Sequence, residues 1–352
     1  MERHVLVIGA GQAGLAAGYH LRAAGVPFQI VDSHHRVGDN WRTRYDSLTL
    51  FTPRQFSALP GLELAGNREL YATRDEFADY LESYAARLRL PITLRRQVTR
   101  LSKSDGESFE AMLDDGRIIV TSEVIVATGA FQRAVVPEIA DRFGDGVLQL
   151  TTETYRNPNQ LPDGPVLVVG DGASGRDIAA EVRPLQPVLL AAGRSRKLFP
   201  ERVLGKSIWW WLNLLGILKA PPQSRIGRML KGSDAFPDRD RSTESLASRG
   251  IRILPRLTEA SGRVAQFADA TSADIRTVIW AVGYQDDTSW LDISEAKGPD
   301  CAFRRSRPVI PINYRPPIPI SFRPGFRFEA GHLFGSPGSL LRFGSSFVSG
   351  QA

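Results

Sequence analysis

Cysteine is almost missing from this chain: Cys301 is the single one in 352 residues. That excludes a disulfide scaffold, a cysteine-ligated zinc or iron–sulfur centre, and any dithiol redox couple. Long apolar runs are missing too, since Ile208 to Leu218 is the most apolar stretch and a membrane-spanning helix needs about 20 residues. The first residues show no basic stretch followed by an apolar core and a small-residue cleavage site. The expectation is therefore a soluble cytoplasmic protein. Histidines are few and scattered (His4, His20, His34, His35 and His332). No Ser–His–Asp set and no metal-ligand cluster emerges, so no metal is expected.

Acidic residues are scarce at one end. Residues 301–352 carry seven arginines (Arg304, Arg305, Arg307, Arg315, Arg323, Arg327 and Arg342) against Glu329, with no Lys or Asp. The formal net charge of +6 therefore belongs to the tail, and the first 300 residues are neutral. A neutral body with a basic tail has no electrostatic footprint for DNA or RNA, so nucleic acid is not an expected partner. The tail also holds seven Pro and seven Phe without a sustained period, and no structure is assigned to it. The rest of the chain is long and apolar enough for two domains with their own cores.

A continuous apolar run, His4 to Ile8, reads as a parallel strand buried on both faces. It feeds Gly9–Ala10–Gly11–Gln12–Ala13–Gly14 and an Ala/Leu-rich helix to about Ala24, and a second strand, Pro27 to Val31, ends at Asp32. Thr73–Arg74–Asp75–Glu76 fits a capping box opening a helix to about Leu90. Short strands follow at Val98–Leu101, Phe109–Leu113 and Arg117–Val120, the last two joined by the hairpin signal Asp114–Asp115–Gly116. Glu123 to Ala127 is a buried strand ending at Thr128–Gly129. The pattern then restarts about 160 residues later, with Val166–Val169, the loop Gly170–Asp171–Gly172–Ala173–Ser174–Gly175, a helix, a strand at Val188–Ala191, and Gly193–Arg194–Ser195–Arg196. Thr277–Ala281 is the next buried strand, followed by Val282–Gly283–Tyr284.

In each G-x-G-x-x-G loop the first Gly allows the tight turn, the second lets backbone approach a pyrophosphate, and the third lets helix pack close on strand. The helix N-terminus adds N–H groups and partial positive charge for the anion. In the first copy Gly9, Gly11 and Gly14 are followed by Asp32, 23 residues after Gly9 at a strand end. A carboxylate there accepts hydrogen bonds from ribose hydroxyls and repels a 2′-phosphate, which points to FAD or NAD. In the second copy Gly170, Gly172 and Gly175 are followed by Arg194, Ser195 and Arg196. Guanidinium forks suit a 2′-phosphate, hence NADPH. Hydride transfer from NADPH to FAD is the reaction that requires both sites in one chain.

The residues resemble bacterial relatives of flavin-containing monooxygenases, including indole-3-pyruvate monooxygenase-like proteins and flavoproteins linked to cation transport. The resemblance rests on Arg36–Val37–Gly38–Asp39–Asn40–Trp41–Arg42, Tyr45–Asp46–Ser47–Leu48, Tyr71–Ala72–Thr73–Arg74–Asp75, Val126–Ala127–Thr128–Gly129 and Trp280–Ala281–Val282–Gly283–Tyr284, and covers about residues 1–295. Phe51 or Thr52 falls where many of that family place an Asn, and residues 301–352 do not resemble the family's closing segment. The resemblance implies FAD and NADPH as cofactors, and O₂ adding to the reduced flavin as a C4a-peroxyflavin that oxygenates a small organic N-, S- or carbonyl-type substrate. The cofactor carries that chemistry, so no catalytic side chain is named.

The expected fold is α/β with two Rossmann-like dinucleotide-binding domains. An FAD domain takes residues 1–155 and 275–300, an NADPH domain takes 156–274, and 301–352 is an atypical tail. Trp41 is expected near the flavin edge and Ser174 at NADPH. Thr128, Gly129, Gly283 and Tyr284 are expected in the turns that link the two domains. Two other readings share the sequence: an NADPH oxidase of the same fold that does not oxygenate, and a non-catalytic flavoprotein or transporter accessory protein. For Ile208–Trp209–Trp210–Trp211 the leading expectation is a helix buried around most of its circumference or docked between domains. A substrate-channel wall, or a membrane-surface contact through Ile208–Leu218, is the lesser alternative.

Overall fold

The computed structural model of the chain describes residues 4–104, 108–193, 196, 198–219, 224–225, 236–296 and 341–343. Its N-terminal half opens with β1 (Val5–Ile8), every residue buried, then α1 (Gln12–Ala23) and β2 (Phe28–Val31). The helix α2 (Arg74–Arg87) starts at the expected capping box: Thr73 Oγ1 accepts from Glu76 N at 3.2 Å, and Glu76 Oε2 accepts from Thr73 N at 2.8 Å. Two further strands, β3 (Ile92–Thr93) and β4 (Glu123–Val126), complete a parallel sheet in the order β4-β1-β2-β3. The same plan recurs with β5 (Leu148–Thr151), β6 (Val166–Val169), α3 (Ala173–Val182), β7 (Val188–Ala191), β8 (Arg252–Leu254) and β9 (Thr277–Trp280). These form a second parallel sheet in the order β5-β9-β6-β7-β8.

Each sheet is buried on both faces, which is why its strands are continuous apolar runs. On the first, α1 and α2 cover one face through Leu15, Phe77 and Leu81, and the antiparallel strands Val98–Lys103, Phe109–Leu113 and Ile118–Thr121 cover the other. The hairpin at Asp114–Gly116 is present, with Gly116 in the left-handed region at φ +82°. On the second sheet α3 and the helix Thr243–Ser248 cover one face, and the meander Leu257–Ser261, Val264–Phe267 and Ser272–Asp274 covers the other.

Three expectations need correction. The strands β5 and β9, assigned from sequence to the FAD portion, both lie in the second sheet, with β9 between β5 and β6. Pairing across more than a hundred residues decides this, and it leaves no local signal. The helix Ile208–Leu214 is not buried around most of its circumference; it meets the other half of that expectation, docked between the two halves of the chain. Trp209 is inside, donating its indole N–H to Phe51 O at 2.8 Å and packing with Phe51, Phe56 and Phe236. Trp210 and Trp211 are half-buried in an edge-to-face pair, and Leu214 and Leu215 are exposed. A helix this short meets the aromatic cluster with one face only. In the tail, Leu341–Phe343 pairs antiparallel with β4 as an edge strand, where none was assigned; the open edge of β4, and no local period, gives it a partner. The remainder of 301–352, Cys301 included, lies outside the described residues.

Among the described residues, no helix is long and apolar enough to cross a membrane, and no cluster of His, Cys, Asp or Glu could hold a metal ion.

Candidate functional site

The two glycine loops are near copies. Gly9 and Gly170 both adopt φ +107°, and a Cβ on either would lie 2.4 Å from a carbonyl oxygen, Ala127 O and Ala281 O respectively. Gly14 and Gly175 pack so closely that a Cβ would fall 1.8 and 1.9 Å from the carbonyl oxygens of Gly9 and Gly170. These four glycines close helix onto strand. Gly11 and Gly172 differ: they sit at the helix N-caps with ordinary φ values of −73° and −70°. A Cβ on Gly172 would meet nothing within 4 Å, and one on Gly11 only Asn40 Nδ2 at 3.6 Å. Neither α1 nor α3 has a side-chain cap, whereas α2 does. Two bare helix N-termini, each with open space over its second glycine, fit a pyrophosphate at each loop.

Asp32 stands at the end of β2, as expected, and organises the first loop. Its Oδ2 accepts from Ala10 N at 2.6 Å, while Oδ1 accepts from His34 N at 2.8 Å and lies 2.7 Å from His34 Nδ1. Burial pushes the carboxyl up, but the hydrogen bonds from His34 and Ala10 outweigh it and the net shift is downward. His34 moves upward, chiefly because it bonds to Asp32. A carboxylate has about four lone-pair sites, so Asp32 keeps capacity at Oδ2 for a ribose hydroxyl. His34 was not singled out from sequence; the Asp-x-His spacing is its only signal. Trp41 is buried with its indole N–H on Gln12 Oε1 at 3.2 Å and its ring edge-on to Phe77 at 4.9 Å. It braces the start of α1 beneath the loop.

The second loop is charged where the first is not. Asp171, the residue between Gly170 and Gly172, is 3% exposed. Its Oδ2 accepts from Arg176 at 3.3 Å and its Oδ1 from Arg196 Nε at 3.0 Å. Arg176 is equally buried and also reaches Arg241 O and Thr243 Oγ1. Arg196 walls a 560 Å³ cleft at the ends of β7 and β8, together with Asp171, Gly193, Leu254, Asp238 and Glu244. Arg194 and Ser195 lie outside the described residues. Ser174 sits in the first turn of α3; in the N-terminal half Tyr45 is buried, its ring 6.5 Å from that of Tyr155, and burial drives the Tyr45 phenol far above its ordinary range. Nearby, Tyr155 donates to Glu181 at 3.0 Å.

The linking turns are stapled by Gln132. Its Nε2 donates to Thr128 Oγ1 at 2.9 Å and Gly129 O at 2.8 Å, and its Oε1 accepts from Asp287 N at 2.7 Å. Arg133–Ala134 pairs antiparallel with Tyr284–Gln285, so the outgoing and returning chains cross side by side. Arg44 stacks over the Phe131 and Tyr284 rings at this crossing. Arg239 adds a second bridge, donating to Thr49 Oγ1 and Leu50 O and stacking on Tyr71 at 4.8 Å. Neither Gln132 nor Arg239 carried a sequence signal; their partners are up to 190 residues away.

Comparison with known proteins agrees with this geometry. Residues 6–188 match the pyridine nucleotide-disulphide oxidoreductase family. The chain is 44% identical over 307 residues to an uncharacterized oxidoreductase CzcO-like of Geobacillus kaustophilus, covering 87% of this chain and 86% of that one. The chain belongs to this flavoprotein family, in its flavin monooxygenase-like part. The probable indole-3-pyruvate monooxygenase YUCCA9 of Arabidopsis thaliana is 29% identical over 82% of the chain and 77% of its own length. The solved flavin-containing monooxygenase from Stenotrophomonas maltophilia superposes with a TM-score of 0.71 at 26% identity, covering 86% of each chain. This flavin monooxygenase-like oxidoreductase is thus of FAD- and NAD(P)-binding type. It lacks the cysteine pair of a disulphide reductase, having Cys301 alone.

Proposed function

We propose that the protein is an NADPH-oxidising flavoprotein monooxygenase that inserts one oxygen of O₂ into a small organic substrate of N-, S- or carbonyl type. The observation that carries this is the duplication with opposite charge: two near-identical loops in one chain, the first completed by Asp32, the second by Arg196 beside Asp171. Gly9, Gly11, Gly14 and Asp32 would hold FAD. Gly170, Gly172, Gly175 and Arg196 would hold NADPH, together with Arg194 and Ser195 from the sequence expectation, which lie outside the described residues. FAD, when bound there, would supply the redox chemistry: acceptance of a hydride from NADPH and reactivity towards O₂. The chain itself fixes the geometry. Asp32 orders the first loop through Ala10 and would engage the ribose, Trp41 and Gln12 hold the start of α1, and Tyr45 packs into the core of the second sheet. Gln132 and Arg239 keep the two halves in register. The similarity to YUCCA9 and to the Stenotrophomonas enzyme supports the oxygenating outcome.

The test is an anaerobic NADPH titration of purified protein, followed by air and candidate substrates. The expected result is a yellow protein bleached by NADPH, with oxygenated product in proportion to NADPH consumed. NADPH consumption matched by hydrogen peroxide release, with no product from any substrate class, would leave only an oxidase. A colourless protein that turns over no NADPH would remove the redox function.

A further inference from the structure

The two loops are linked to their strand ends in the same way but with the charges exchanged. In the first, position 10 is Ala, and its backbone N–H holds the strand-end carboxylate of Asp32 at 2.6 Å. In the second, the equivalent position is Asp171, and its carboxylate holds Arg196, beyond the end of β7, at 3.0 Å. Each loop thus orients the charged group that flanks its own nucleotide site.

Asp171 does not simply neutralise that group. It faces two guanidiniums, Arg196 and the buried Arg176, so the three side chains together keep a positive charge. Arg176 is also committed to Arg241 O and Thr243 Oγ1, inside the protein. Of the two guanidiniums, Arg196 is the one that lines the cleft, at 18% exposure. Its Nε bond to Asp171 fixes the plane of the fork, which decides whether a bidentate contact to a phosphate is possible. The cleft offers wrong partners as well, because Asp238 and Glu244 line it.

We propose that Asp171 is a positioning residue that holds Arg196 as a clamp for the 2′-phosphate, and so sets the preference for NADPH over NADH. This rests on the reading of the second loop as the NADPH site.

The experiment is equilibrium binding of NADPH and of NADH to the full chain with its flavin, for the wild type, Asp171→Asn, Arg196→Gln and the double variant. Asp171→Asn keeps an acceptor for Arg176 but loses the charge. NADPH affinity should fall about tenfold, the weight of one charge-assisted hydrogen bond, and NADH affinity should change less than about twofold. Arg196→Gln should give the same split, and the double variant no further loss. Equal losses for both coenzymes in Asp171→Asn would mean that the acid merely holds the loop together and would overturn the proposal. So would tighter NADPH binding, which would show the carboxylate repelling the phosphate. If Asp171→Asn does not fold, Arg196→Gln still decides, since an unchanged NADPH-to-NADH ratio refutes the clamp. A wild type that binds neither coenzyme refutes the NADPH site itself, and one that binds both equally refutes only the clamp.

Discussion

Gly172→Ala separates a glycine kept for a ligand from one kept for the fold. Gly172 has φ −70°, which any residue adopts, and its added Cβ meets no atom within 4 Å. As an N-cap, Ala is worse than Gly by up to about 1 kcal/mol, while removing a glycine from the unfolded chain returns about 0.4–1 kcal/mol. The two nearly cancel, so the melting temperature should move by no more than a few degrees. The same methyl would occupy the space a pyrophosphate needs over the bare N-terminus of α3. Losing even one charge-assisted hydrogen bond, about 1.5–3 kcal/mol, weakens NADPH roughly ten- to a hundredfold, and NADH should suffer equally because both carry the pyrophosphate. Gly175→Ala is the control with opposite behaviour: its Cβ would sit 1.9 Å from Gly170 O, so it should lower stability by several kcal/mol or prevent folding. Thermal melts and coenzyme titrations on the two variants check this. A stable Gly172→Ala protein that binds NADPH like the wild type would refute the pyrophosphate assignment.

Other substitutions test the supporting structure. Trp209→Ala removes a buried indole and its bond to Phe51 O, and should cost about 3–5 kcal/mol in urea unfolding; Leu214→Ser, at an exposed position on the same helix, should stay within about 0.5 kcal/mol. For pH, the two members of the Asp32–His34 pair act in opposite windows. Asp32 is depressed, so its contribution is present above its ordinary value of 3.8 and fades as pH falls through the lowered one. His34 is raised, so its contribution is full below 6.5 and is lost as pH rises through the raised value. The stability gap between wild type and His34→Gln should therefore be larger at about pH 5.5 than at about pH 9; a gap independent of pH in thermal melts would refute the pairing.

Local chemistry made much of this legible in advance. The glycine spacings, the capping box at Thr73–Glu76 and the hairpin at Asp114–Gly116 each work within a few residues, and each is found where the chain wrote it. Asp32 at its strand end belongs to the same class, because the length of a βαβ unit fixes its distance from Gly9. His34 was missed although it adjoins Asp32, since a histidine two residues from an acid is common and only the fold turns its ring back onto the carboxylate. The three tryptophans split: apolarity alone does not tell which face of a short helix enters the core, and only Trp209 is fully buried there, while Trp210 and Trp211 pair with each other and with Lys206 and Val203 O nearer the surface.

The amino-acid sequence by itself determined that there are two dinucleotide loops, which residues close them, and that the charge at their strand ends differs in sign. Those properties come from backbone sterics and short-range spacing, which survive without knowledge of what packs where. Tertiary structure alone decided that β5 and β9 enter the second sheet, that Asp171 reaches Arg196, and that Gln132 pins both crossings. Such pairings join residues tens to hundreds of positions apart, and no periodicity encodes them. They exist because burial brings polar groups together and each must then find a partner.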